Sequence, residues 1–242
     1  EELQEQGVVV APGGSGDGSP DAPFGSLADA LAAHPTGTII LAAGRYPEAV
    51  SLDGSNDGLE VHGRCSQLVT VDGSGAPESA VLYFDPGGPE ASLTWTGTTF
   101  SGGGTDGVRL FSGARLEGAD LRMLDSVHAG LQVRASSAVI DGLVVEDITL
   151  GSDVSGGGTG VYCREEGVLT LSNAEISRAE RQGILAADCQ VSLEGVTVRD
   201  IQPDVGDGSD EERGGPPDGG STQVEDGIGI ATLQGSLQGR DI

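Results

Sequence analysis

The residues able to do chemistry fall into three groups. In the first, Arg134 and Arg164 hold one position of a repeat, and Gln132 and Tyr162 hold a position two residues earlier. Stacking of the repeat would set two guanidinium groups beside a phenol. Such a set can clamp a carboxylated sugar, and a guanidinium can serve as the base of a uronate lyase. Arg134, Arg164 and Tyr162 are therefore the catalytic candidates. A corner after Val133 and Cys163 is expected to turn both rows outward. Asp106, His128, Asp188 and Asp226 fall at nearby corners.

The second group is Asp204, Asp207, Ser209, Asp210 and Glu212, interleaved with Gly206 and Gly208. Hard oxygen donors on a flexible loop suit calcium, so Asp204, Asp207, Asp210 and Glu212 are the metal candidates. Their spacing is not that of an EF-hand. Asp17 and Asp21, in a Gly-Asp-Gly turn, form a smaller cluster of the same kind. The third group is His34, His62 and His128, none with a placed nucleophile beside it. A hydrolase would need paired carboxylates on one face, and no compact pair on successive repeats stands out. All twelve basic residues are arginine, which excludes a lysine base.

Positioning these groups is the work of a repeat. Gly-apolar starts occur at Gly107, Gly130, Gly160, Gly183 and Gly227, spaced 23, 30, 23 and 44 residues apart. A second segment follows each start: Leu116-Glu117-Gly118, Ile140-Asp141-Gly142, Leu171-Ser172-Asn173, Leu193-Glu194-Gly195 and Leu237-Gln238-Gly239. Leu121, Val145, Ile176 and Val198 follow three residues later. Val139–Val145 and Val191–Val198 alternate with the two-residue period of strands buried on one face. The links are too short for crossover helices, so the chain must wind, each turn pairing with the last. Such connections are right-handed by rule. Gly118, Gly142 and Gly195 are the expected corners, with Asn173 in the same slot.

Around the repeat, Val8–Val10 reads as a first strand and Ser26 as the N-cap of a short helix ended by Pro35 and Gly37. Thr38–Ala42, Ala49–Leu52 and Leu59–His62 are expected to form the first coil. The second follows in Val69–Val71, Ala80–Phe84 and Leu93–Phe100. Together with Gly37–Tyr46, this pattern resembles the right-handed parallel β-helix proteins of the pectin-lyase-like superfamily, in particular bacterial secreted ones. The resemblance implies an all-β fold of about seven coils, capped at its N-terminus by the helix. One domain over 1–242 is expected, with 1–37 as strand, loop and cap and 38–242 as coils. Insertions at 151–158 and 203–222 leave from one corner. The chain stops in mid-coil, so it is expected to be incomplete at its C-terminus or covered there by another chain.

Composition narrows the function. A net charge of −26 excludes nucleic acid as a partner and disfavours anionic membranes. It would also repel an anionic polysaccharide unless metal ions bridged the two. No apolar run reaches membrane-spanning length. Cys163 and Cys189 fall on successive coils several residues out of register, so a bridge between them would need a loop excursion, and Cys65 is left over. With only 3% aromatic residues, a long sugar-stacking cleft is disfavoured. The favoured reading is a non-catalytic extracellular or cell-surface β-helix with a structural, assembly or adhesion role, self-associating through its coil ends. The resemblance offers two alternatives. One is a lyase or hydrolase acting on an extracellular glycan. The other is a calcium- or carbohydrate-binding module. No cofactor is required by these readings, and calcium is the ion the acidic loop would take.

Overall fold

The computed structural model describes residues 7–76, 79–151 and 157–202 with their side chains, and residues 228–240 as backbone. Its strands join in one sheet that winds on itself, and the strand pairings are parallel. Three stacks result. The first runs through Val8–Val10, Gly37–Leu41 and Leu59–Gly63, then through the opening halves of Ala91–Ser101, Ala114–Leu124 and Ser137–Ile148. The second begins at Gly44–Tyr46 and Val69–Asp72, takes the closing halves of those three strands, and ends with Glu175–Ala179 and Thr197–Arg199. The third holds Val50–Leu52, Leu82–Phe84, Asp106–Leu110 and Ala129–Arg134, then the opening halves of Thr159–Ser172, Gln182–Glu194 and Ile228–Arg240. The chain visits the stacks in order and repeats. It is a parallel β-helix.

Alternation fills the interior. In the first stack Leu59, Leu93, Leu116, Ala138, Leu169 and Val191 lie in register and are buried. Val71, Phe100, Met123, Val145 and Ile176 do the same in the second. Leu82, Val108, Leu131, Val161 and Ile184 complete the third. Burying each large side chain contributes about 1.5–3 kcal/mol. At the base, the helix Leu27–Ala33 sends Leu27 and Ala30 into the same core. Ser26 accepts from the Asp29 amide, while the Glu48 carboxylate accepts from the Leu27 and Ala28 amides. The negative charge sits where the free N–H groups point.

The register corrects the sequence reading in four places. Leu59–Gly63 does not close the first coil. It pairs directly on Gly37–Leu41 and opens the next one. The closing place in the second stack belongs to Gly44–Tyr46, three residues too short to show a period. Gly118 is not a corner: it pairs with Ile140, and the left-handed turn is made by Asp120, φ 49°. Gly97, Gly142, Asn173 and Gly195 turn the same corner in the other coils. Asp, like Asn, tolerates this conformation, so a glycine-only search slips by two residues there. For the same reason Met123, not Leu121, stacks on Val145. In the last strand Gln182 and Ile184 pair with Ile228 and Ile230, which places Gly229 opposite Gly183. Gly227 lies outside the described residues.

The starting glycines serve close packing. A Cβ on Gly130 would lie 2.4 Å from Val145 Cγ1 and 2.8 Å from the Gly160 carbonyl oxygen. One on Gly160 would lie 2.5 Å from Ile176 Cγ2. Their absent side chains make room for the second-stack core row. Cys163 and Cys189 are bridged, with Cα atoms 6.0 Å apart. No loop excursion is involved. Both point inward across one corner, and the Cys163 sulfur fills space that a Cβ on Gly167 would invade at 2.9 Å.

Gly130→Ala is expected to lower stability by about 1–3 kcal/mol through overpacking, read as a drop in the denaturant midpoint. Replacing both Cys163 and Cys189 by serine should cost about 3.5 kcal/mol from lost loop closure, read in the same assay.

Candidate functional site

The outer surface of the third stack carries the first group of candidates. Tyr83, Arg109, Gln132, Tyr162 and Leu185 form one row in register. Arg134 pairs with Arg164 in the row beside it. No corner is needed to bring the rows together, because residues two apart in a strand share a face. The turn comes one residue after Arg134, at Ala135, φ 46°. Of the eight aromatic residues, Tyr46, Phe84, Trp95 and Phe100 are in the core, and Phe24 packs near His34. The remaining three, Tyr83, Phe111 and Tyr162, all lie on this face.

The aromatics and arginines interleave. Arg134 sits 5.1 Å and Arg109 5.9 Å from the Phe111 ring centre, and Arg164 sits 5.2 Å from that of Tyr162. Tyr83 packs 5.7 Å from Phe111, and its hydroxyl donates to Asp85 at 2.9 Å. Burial, then the bond to Asp85, raises the Tyr83 pKa, so the phenol stays protonated. Arg134 donates to Glu165, which holds that carboxyl below the ordinary carboxylate range. Arg164 reaches the same carboxylate only at 3.9 Å, and its Nε is buried without a hydrogen-bond partner. Two guanidinium groups thus share one carboxylate.

At the edge of the face Asp106 is fully buried. It accepts from Arg109 and bonds His128 Nδ1 at 2.8 Å. The His128 ring lies 6.2 Å from that of Tyr162. Sequence spacing had set Asp106 and His128 only near a corner; the bond between them was not legible there. Asp188 is at the corner beyond the face, φ 53°. His34 caps the helix, and His62 bonds Thr96 on the first stack.

A second set of arginines supplies a contrast. On the second stack Arg122 and Arg178 approach Glu146 at 3.2 and 3.5 Å, Arg178 binds Asp147 through two bonds, and Arg199 binds Glu175. No aromatic ring lies among them. This is the solvated ladder to which stacked charges ordinarily amount.

No group of three or more His, Cys, Asp or Glu suited to a metal occurs among the described residues. Asp204, Asp207, Asp210, Glu212 and Asp226 lie outside them. Asp17 accepts from the Ser19 amide in a local turn. Among the described residues no helix is long and apolar enough to cross a membrane.

The pectate lyase Pel9A superposes with a TM-score of 0.61 at 16% identity, over 84% of this chain and 56% of that one. The two chains share the parallel β-helix fold. A pectin methylesterase from carrot matches at a TM-score of 0.44 and 15% identity, over 77% of this chain and 63% of that one. One from Aspergillus niger matches at 0.47 and 14%, over 95% and 85%. This chain thus spans little more than half the length of the pectate lyase. No protein-family model matches the sequence, and no curated protein matches it either.

Asp147 gives this β-helix a pH signature. Its pairing with Arg178 depresses its pKa in the folded state. That contribution is fully present above the unfolded pKa of about 3.9 and is lost as pH falls through the folded value. Being exposed to solvent, the pair contributes only weakly to stability. Asp147→Asn should therefore lower the thermal midpoint slightly at pH 7, and the gap from wild type should narrow as pH falls below about 4 and the carboxylate protonates.

Proposed function

We propose that this chain is an extracellular, non-catalytic β-helix that binds an acidic saccharide on the outer face of its third stack. The observation that carries the reading is the gathering of Tyr83, Phe111 and Tyr162 with Arg109, Arg134 and Arg164 on one face. Aromatic rings offer flat apolar surface to the C–H face of a sugar, and guanidinium groups bind carboxylates in a matched fork. The surplus of arginine over carboxylate around Glu165 favours an anionic group there, against the repulsion expected from the whole chain's charge. The likeness to a pectate lyase supports a carboxylated polysaccharide such as pectate as the ligand class. The Cys163–Cys189 bridge supports an oxidising, extracellular setting.

Binding rather than turnover is favoured because the carboxylates on the face are engaged: Asp85 by Tyr83, Glu165 by Arg134 and Asp106 by burial. One observation favours a second reading, a polysaccharide-active enzyme. Asp106 orients His128 through Nδ1, the arrangement that leaves Nε2 as a proton acceptor. Loss of turnover with retained binding in His128→Ala would mark that case.

Titration calorimetry with oligogalacturonides and neutral oligosaccharides separates the outcomes. Phe111→Ala and Tyr162→Ala should each weaken acidic-ligand binding about tenfold while circular dichroism stays unchanged. Equal affinity in both variants would sink the assignment of the face.

A further inference from the structure

Beside Arg164 the chain turns its corner with one residue more than the coils on either side. Glu165, Glu166 and Gly167 stand between Arg164 and Val168, where the preceding coil has Ala135 and Ser136 and the following coil has Asp188 and Cys189. An extra residue of this kind re-aims a side chain and is common beside functional sites. Glu165 and Glu166 are both left-handed, φ 55° and 60°. The coil of Phe111 turns at the equivalent place with Ser112 and Gly113, φ 51° and 91°. Glycine suits this geometry best, so the backbone does not call for two carboxylates here. Glu165 accepts from Arg134, while Arg164 stops 3.9 Å away with its Nε buried and unbonded. The Glu165 side chain is 46% exposed, with solvent beside it to enter.

We infer that Glu165 is the specificity-determining residue of the saccharide site: its carboxylate holds the place of a ligand carboxylate, which must displace it. The inference rests on the reading that this face binds an acidic saccharide. No covalent bond changes in the exchange. The pair between Arg134 and Glu165 opens, Glu165 moves into solvent, and the incoming carboxylate accepts from Arg134 and from the Arg164 Nε. The ligand thus gains a second charged donor that Glu165 does not bond, and this tips the exchange in its favour. An exposed ion pair is weak, so opening it is a small cost. A neutral sugar brings no charge to replace Glu165. It meets the rings of Phe111 and Tyr162 and leaves the arginines closed. Glu165 therefore discriminates by competition, and the arginines open to a ligand that carries its own anion.

The test is Glu165→Gln, which keeps the shape of the side chain and removes its charge, with Glu166→Gln as the matched change of charge one residue on. Neither arginine pairs with Glu166, which is exposed. By titration calorimetry, Glu165→Gln should raise affinity for an oligogalacturonide about fivefold, the worth of one exposed ion pair. Its affinity for a neutral oligosaccharide should stay at the wild-type value. Glu166→Gln should change either affinity less than about twofold, since its charge stands outside the pair. Unchanged or weaker acidic-ligand binding in Glu165→Gln, beside clear wild-type binding, would make Glu165 a support for Arg134 and overturn the inference while leaving the binding face intact. An equal gain in Glu166→Gln would reduce the effect to net charge and overturn it in the same way. Absence of saccharide binding by wild type and by Glu165→Gln would overturn both.

Discussion

Parallel, in-register stacking is the constraint from which the other features follow. Each strand lies against its counterpart in the next coil at the ordinary strand spacing of about 4.8 Å. A residue therefore inherits its neighbours from the equivalent positions of adjacent coils. Apolar residues become continuous rows in the interior, and left-handed residues become continuous corners. On the outside the same rule brings Arg134 over Arg164 and sets Gln132 between Arg109 and Tyr162. The site is a product of register, with no need for a long loop to reach across.

The glycine starts show how tightly that register is held. Gly107, Gly130 and Gly160 place backbone where side chains of the second stack must pass. Packing on this scale leaves little tolerance for added volume. Corners are looser. They accept glycine, asparagine, aspartate and even Arg178 in left-handed geometry, because their side chains project outward. Variation in this chain accordingly collects at corners, and constancy collects at the inward rows.

Period, winding and the helix at the base were legible in the sequence because alternation and short links leave few other solutions. Arg134, Arg164 and Tyr162 were legible as neighbours for the same reason. What escaped was whatever depends on packing across strands. Asp120 hid a corner because a glycine pattern does not count aspartate. Gly44–Tyr46 was too short to carry a period. The approach of Cys163 to Cys189 depended on both pointing inward across a corner, which linear register understates. Phe111 gained its meaning from ring contacts and Asp106 from burial and its bonds, and spacing alone reports none of these.

The placement of the disulfide has a consequence for how a ligand would meet this surface. Cys163 lies between Tyr162 and Arg164 in one strand, its sulfur inward while theirs is the outer face. Covalent anchoring from behind limits how far that strand can shift when something presses on its front. Less conformational freedom then remains to be lost at the moment of contact. Once the two sulfurs are joined, the rigidity of the recognition surface is inherited from the oxidation of the chain, and the compartment in which it folds becomes part of how well it holds its ligand.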